Sequence, residues 1–140
     1  MFIPRPVPDT GRGVFFSDML VTVVFIGGGI GAVLRYGAGL LSGRCFGFAL
    51  PGTFAVNMLG CLLLGVLMAA AHCRAEWLSN ELRHLLCVGV LGALTTFSTF
   101  SFEIFSLVKS GRIACALGYW LVSSLLGFAA TAVGYYAAAC

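Results

Sequence analysis

Apolar residues dominate this chain in four long runs, and most charged residues lie between the runs. The runs that carry almost no charge cover residues 19–34, 45–71, 85–102 and 113–140. A helix needs about 20 apolar residues to cross the ~30 Å hydrocarbon core of a bilayer. Each run reaches that length with its flanks, because Arg35 and Glu103 can extend from helix ends toward the interface. The pattern predicts four spans at about 19–42, 50–72, 83–108 and 112–138.

The fold class that follows is an all-α integral membrane protein. Barrel strands would alternate in polarity over about ten residues, and no such segments occur. Of the 140 residues, 60% are hydrophobic and 9% are charged, and the mean hydropathy is +1.03. The linkers are too short for a soluble catalytic domain, and the sequence contains no nucleophile elbow, HExxH motif or phosphate loop. We expect lipid as the surroundings, no enzyme activity and no nucleic-acid partner.

Residues 1–18 hold three prolines and are predicted to form a flexible tail ahead of a membrane domain at 19–140. Met19 begins the first apolar run and is a plausible true start of the chain. Six cysteines, at 45, 61, 73, 87, 115 and 140, have no framework spacing and are interpreted as reduced packing residues. A zinc site from His72, Cys73, His84 and Cys87 is a weaker alternative, since their spacing matches no structural zinc pattern.

Positive charge is balanced between the two predicted membrane faces. One face would carry Arg5, Arg12, Arg74 and Arg83, and the other Arg35, Arg44, Lys109 and Arg112. Because lysine and arginine in short loops set orientation, an even split gives the insertion machinery little to act on. The charges therefore allow insertion in both orientations, with opposite copies pairing, and they also allow a single orientation.

Spans one and two carry small and polar residues at helical spacing. Gly27, Gly31, Arg35 and Gly39 fall on one stripe, which is typical of close helix packing, and Arg35 is placed to attract anions to a pore mouth. Thr53 and Asn57 form a polar stripe in span two. An amide inside a membrane needs a partner, so Asn57 is either a contact between helices or a donor lining a permeation path.

Span three contains the most unusual stretch of the chain, LGALTTFSTFSFE at 91–103. The segment from Gly92 to two β-branched threonines is a poor helix interior and favours a break. Beyond it, Phe97 and Phe100 share a face, with hydroxyls of Ser98 and Thr99 nearby. Those hydroxyls could equally well bond to backbone carbonyls one turn earlier and pack between helices.

Three segments together resemble the small fluoride channels of the Fluc or CrcB family. They are GGIGAVLRY at 28–36, GTFAVNMLG at 52–60 and GALTTFSTFSFE at 92–103, and the resemblance extends over residues 19–140. Ala93 stands where many members have a second glycine. The resemblance implies a fluoride-selective channel in the bacterial inner membrane that exports fluoride passively and so limits its toxicity.

The resemblance also implies an antiparallel, dual-topology homodimer with a break in helix three and two pores. A structural Na⁺ would sit at the dimer centre on backbone carbonyls of Gly92 and Thr95. The implied pore residues are Asn57, Phe97 and Phe100, then Tyr119 and Ser123 on span four, with a polar track formed by Thr53, Ser98 and Thr99.

Two other classes of membrane protein compete with this hypothesis. A small multidrug transporter would need a carboxylate deep in span one, and that span contains none. A structural or assembly subunit without transport is compatible with the composition alone.

Overall fold

The computed structural model describes residues 12–73 and 76–140, with side chains from Asp18 onward. Two long helices come first, α1 at Arg12–Phe46 and α2 at Leu50–His72. The third span contains α3 at Asn80–Arg83, a π-helical segment at His84–Leu91, α4 at Gly92–Leu94 and α5 at Phe97–Lys109. Helix α6, at Ile113–Ala138, completes the chain.

Within the described residues, four helical spans are long and apolar enough to cross a membrane, which confirms the prediction of a multi-pass, helical membrane protein. They cover Asp18–Phe46, Leu50–His72, Asn80–Lys109 and Ile113–Ala138. Helix α1 begins at Arg12, so part of the segment predicted as a flexible tail is helical. Residues 1–11 of that tail lie outside the described residues.

Short glycine-containing turns reverse the chain between spans. Gly47 and Gly111 have φ of 79° and 76°, a left-handed conformation that glycine adopts without steric cost. At the first turn, Ser42 Oγ donates to the Phe48 carbonyl (2.9 Å) and accepts from the Gly52 N–H (3.0 Å). This hydroxyl therefore fixes the end of α1 to the start of α2.

Glycines on α1 allow very close packing against the third span. Gly27 and Gly31 are buried, and a Cβ on Gly31 would overlap the carbonyl of Val90. Gly89 lies opposite, where an added Cβ would be 2.9 Å from the Cα of Gly27. Gly39, from the same predicted stripe, has no heavy atom within 4 Å of such a position. The packing contact of this stripe is thus made by its first two glycines.

Helices α2 and α6 form the second close pair. A Cβ on Gly65 would overlap the carbonyl of Thr131, and one on Gly134 would overlap the carbonyl of Leu62. Backbones at this distance gain dispersion contacts that larger side chains would prevent. The two helices are therefore held together over several turns.

The interpretation of all six cysteines as reduced packing residues is wrong for two of them. Cys73, just after α2, and Cys140 form a disulfide across a sequence separation of 67 residues. Their pairing depends on α2 and α6 ending side by side, which no local pattern reveals. The weaker zinc alternative gains no support, because no group of three or more His, Cys, Asp or Glu side chains converges within the described ranges.

Candidate functional site

The helical backbone of the third span is interrupted at two threonines. Helix α4 ends at Leu94, Thr95 and Thr96 have extended ψ angles of 153° and 124°, and α5 begins at Phe97. Asn57 of α2 bonds to this segment twice. Its Nδ2 donates to the Thr96 carbonyl (3.2 Å), and its Oδ1 accepts from the Thr96 N–H (2.9 Å). The amide predicted as a helix contact or a pore donor thus supports the backbone of the extended segment.

These contacts redirect two backbone amides away from the carbonyls they would reach in a continuous helix. Each helical N–H normally bonds to the carbonyl four residues earlier. Thr96 N–H donates to Asn57 instead, and Thr99 N–H donates to Thr96 Oγ1 (3.2 Å). The carbonyls that lose these helical partners belong to Gly92 and Thr95. Polar groups released inside a membrane protein need another partner, whether protein, water or an ion.

Thr96 is also the N-cap of α5. Besides accepting from the Thr99 amide, its hydroxyl donates to Thr99 Oγ1 (3.2 Å) and lies 3.2 Å from Ser98 Oγ. An N-cap hydroxyl typically contributes about 1 kcal/mol to helix stability. Ser98 and Thr99 are therefore part of a hydroxyl cluster at the start of α5, and both are exposed.

Three aromatic rings lie beside this cluster. Phe97 and Phe100 have ring centroids 6.2 Å apart, and Phe100 meets Tyr119 edge to face at 5.1 Å. Phe100 is 8% exposed, whereas Phe97 is 80% exposed. Within one chain, the Phe100 ring is therefore packed against its neighbours, whereas the Phe97 ring projects outward.

A carboxylate joins three spans one turn further along α5. Thr53 donates its hydroxyl to Glu103 Oε1 (2.7 Å), and Tyr119 donates to Glu103 Oε2 (2.9 Å). Thr53 is buried, and Glu103 and Tyr119 are half-buried. The expectation that Glu103 extends from a helix end to the interface is wrong, because both of its oxygens accept hydrogen bonds from neighbouring spans.

An open cavity of about 470 Å³ brings many of the predicted site residues together. Its lining includes Gly92, Thr95, Asn57, Phe97, Phe100 and Ser123. The Ser123 hydroxyl is buried there without a hydrogen-bond partner among the described residues. Buried polar atoms are almost always satisfied, so this hydroxyl indicates a place for a polar ligand or water.

Two further cavities share lining residues with the Thr53–Glu103–Tyr119 contact. One, of about 400 Å³, is lined by Arg35, Thr53 and Thr99. The other, of about 520 Å³, is lined by Glu103, Tyr119 and Arg112. Each cavity is therefore lined both by an arginine and by at least one residue of the carboxylate contact.

The predicted pore residues are divided among these three cavities. Asn57, Phe97, Phe100 and Ser123 line the first, Thr53 and Thr99 line the cavity that contains Arg35, Tyr119 lines the cavity that contains Arg112, and Ser98 lines none of the three. Of the glycine stripe, Gly27 and Gly31 pack against the third span, whereas Arg35 shares its cavity with Thr53 and Thr99. Sequence reasoning missed Thr96 and the partners of Glu103. Thr96 precedes Phe97 and stands three residues before Thr99, a hydroxyl position typical of an N-cap, and this local signal could have identified it.

Comparison with known proteins places this arrangement in a family. The family model described as "CrcB-like protein, Camphor Resistance (CrcB)" matches residues 22–135, which include every residue of the cavity lining named above. The chain belongs to the CrcB family.

Curated relatives of this CrcB-family chain carry the name "Fluoride-specific ion channel FluC". The protein from Chloroflexus aurantiacus is 44% identical over 115 residues, covering 81% of this chain and 90% of the relative. Those from Hyphomonas neptunium and Leptospira interrogans are 43% and 40% identical over 117 residues, covering 83% and 81% of this chain and 92% and 91% of the relatives. The similarity therefore covers most of the chain.

Proposed function

We propose that this protein is a fluoride channel that spans a bacterial membrane several times and lets fluoride leave the cell passively. The observation that carries the proposal is the cavity in which Asn57, Phe97, Phe100 and the unpartnered Ser123 hydroxyl meet. The name shared by its relatives, which match most of the chain, supports the choice of ion. No enzyme chemistry is involved, since conduction needs no bond to be made or broken.

Fluoride is small and strongly hydrated, so a pore must replace its water with hydrogen-bond donors. Asn57 uses one amide hydrogen on the Thr96 carbonyl, and an amide group has a second. The Ser123 hydroxyl is a further donor in the same cavity. Ser98 and Thr99, exposed at the start of α5, extend this polar track. Together these groups would offer an anion several hydrogen-bond donors.

The phenylalanines supply a second kind of contact. Aromatic rings have a positive edge and a negative face, so rings presented edge-on attract an anion while offering nothing to bind a large hydration shell. Phe100 is held by Tyr119 at 5.1 Å, and Phe97 projects from the chain. An exposed Phe97 fits a pore that is completed by a second copy of the chain.

We infer that two copies pair in antiparallel orientation and form two pores. The balanced loop charges support insertion in both orientations. The cavity is open in a single chain, and the exposed Phe97 is part of its lining. A second copy seated there would enclose both the phenylalanines and the interrupted backbone.

The interrupted third span fits a structural Na⁺ at the centre of this dimer. Carbonyl oxygens are suitable ligands for a hard cation, and the carbonyls of Gly92 and Thr95 have lost their helical partners. Bound there, Na⁺ would neutralise carbonyl dipoles and raise the local potential for anions. Asn57 and Thr96 would hold these carbonyls in place.

Fluoride efflux from liposomes tests the placement of the pore. We expect Phe97→Ile, Phe100→Ile and Asn57→Asp each to cut the efflux rate at least about a hundredfold, an effect near 2.7 kcal/mol. Phe105→Ile is the matched control, because Phe105 is on the same helix and 60% exposed but lines none of the cavities described above. Full efflux in all three pore variants would show that the pore lies elsewhere.

The rate of dimer dissociation in different salts tests the Na⁺ site separately. Dimer dissociation in detergent should be slower in NaCl than in N-methylglucamine chloride, since a ligand that binds only the assembled state stabilises it. Gly60→Ala should weaken this dependence, because a Cβ there would overlap the side chain of Thr95. Identical dissociation in the two salts would contradict the site.

A further inference from the structure

The Cys73–Cys140 disulfide lies at one end of the helix bundle. Cys73 directly follows the last residue of α2, His72, and Cys140 lies two residues after the last helical residue of α6, Ala138. Their Cα atoms are 6.0 Å apart, within the range that a disulfide can bridge. Cys140 is exposed, and Cys73 is half-buried. Both sulfurs are thus near a membrane surface, where a redox partner can reach them.

The side of the membrane decides whether such a pair is oxidised. Outside the bacterial inner membrane disulfides form and persist, whereas the cytoplasm keeps thiols reduced. In the oxidation the two thiols lose two protons, one S–S bond forms, and two electrons reduce the disulfide of a thiol-oxidising protein to two thiols. Cytoplasmic dithiol reductants carry out the reverse exchange.

We propose that this disulfide forms only in copies whose Cys73–Cys140 end faces outward, so that the two subunits of one dimer differ covalently. The inference rests on the antiparallel dimer of the proposed function. In such a dimer one subunit presents this end to the oxidising side and its partner presents the same end to the cytoplasm. Half of the chains are then disulfide-bonded and half carry two free thiols.

The chain contains its own reporters of orientation. Cys45 lies in the last turn of α1 and Cys115 in the first turn of α6, so both are at the opposite end of the bundle. Both are exposed free thiols. Cys61 and Cys87 lie inside spans and are only partly exposed. A chain whose Cys45 and Cys115 face outward must therefore have Cys73 and Cys140 facing the cytoplasm.

The test labels the free thiols in two steps with two different reagents and measures the mass of the intact chains. Spheroplasts that express the full chain are treated with a membrane-impermeant maleimide, quenched in acid, unfolded, and alkylated with a second reagent of different mass. In a chain whose Cys45 and Cys115 face outward, the impermeant maleimide labels these two of the six cysteines. The second reagent then labels the other four. The other orientation takes no first label and four second labels, because its remaining two cysteines are bonded to each other.

We expect these two species in about equal amounts, because each antiparallel dimer contains one chain of each orientation. Chains that carry two first labels and also the disulfide would overturn the inference while leaving the antiparallel dimer intact. The variant Cys73→Ser/Cys140→Ser measures orientation without the disulfide. If its reporters are labelled in all chains or in none, the chain has one orientation, and both this inference and the antiparallel dimer fail. Fluoride efflux in liposomes then still decides separately whether the protein is a channel.

Discussion

The two halves of the third span differ in what holds them. Up to Leu94, the span packs against α1 through backbone contacts at Gly27, Gly31 and Gly89. From Phe97 onward, it meets its neighbours mainly through side-chain hydrogen bonds and rings, such as Glu103 with Thr53. The first half, which includes the π-helical segment at His84–Leu91, is a closely packed helical segment. The second half carries the polar groups that a permeating anion would need.

This difference separates stability from conduction along one span. Overpacking a backbone contact disturbs the fold, because close-packed interiors have no room to relax. Removing a single side-chain hydrogen bond in the second half costs about 1 kcal/mol, which leaves a folded protein but alters the path. Substitutions in the first half should therefore lower the stability of the fold, whereas substitutions in the second half should lower fluoride efflux.

The largest effect should come from overpacking the first half. Gly31→Leu places a side chain where the Val90 carbonyl lies, and we expect a loss of about 3 kcal/mol or of the folded protein altogether. Gly29→Leu is the matched control, since nothing lies within 4 Å of its Cβ position. Size-exclusion elution and thermal unfolding in detergent measure both. An equal loss of thermal stability in the two variants would contradict the claim that backbone contacts hold this half of the span.

A smaller effect is expected at the junction of the halves. Thr96→Val keeps the shape of the side chain but removes the hydroxyl that caps α5, at a cost of about 1 kcal/mol. Fluoride efflux should fall about tenfold, because Ser98 and Thr99 lose their common partner. Thr96→Ser should restore both stability and efflux. A Val variant with normal efflux would show that the cap plays no part in conduction.

A third variant tests the carboxylate contact in the second half. Tyr119→Phe removes the hydroxyl that donates to Glu103 but keeps the ring against Phe100. We expect efflux to fall several-fold and the unfolding temperature to change little. Tyr136→Phe, on an exposed tyrosine of the same helix, should leave both unchanged. Matching losses of efflux in the two variants would argue against a specific role for the Glu103 contact.

The smallest effect is expected at Ala93. Its methyl lies beside Gly31 of α1 and is absent from the cavity lining, so it belongs to the packed half. Ala93→Gly should leave the rate of fluoride efflux and the Na⁺ dependence of dimer dissociation within about twofold, at a helix cost of about 0.5–1 kcal/mol. A tenfold change in efflux would place Ala93 at the ion path instead.

Hydropathy alone predicts the number and type of spans, because the cost of placing polar groups in lipid leaves few alternatives. The run from Gly92 to Thr96 also predicts poor helix, and the backbone there is extended at Thr95 and Thr96. Such features depend on residues close together in the chain.

The remaining features depend on contacts between distant segments. Asn57 and Thr96 are 39 residues apart, and the two bonded cysteines are 67 apart. From the sequence alone Glu103 is interpreted as a charge near a helix end. Its hydrogen-bond partners lie on α2 and α6, far away in the sequence, so no local pattern reveals them. A pattern along one helix cannot reveal which neighbour a polar side chain will meet, since that depends on how the spans pack.

The most direct test of the account compares two anions in one preparation. Liposomes containing the purified wild-type protein are loaded with fluoride or with chloride, and efflux is followed with an ion-selective electrode after a potassium ionophore removes the opposing voltage. The account predicts rapid fluoride efflux and chloride efflux no faster than in protein-free liposomes. Absence of fluoride efflux, or chloride efflux at the same rate, would contradict it.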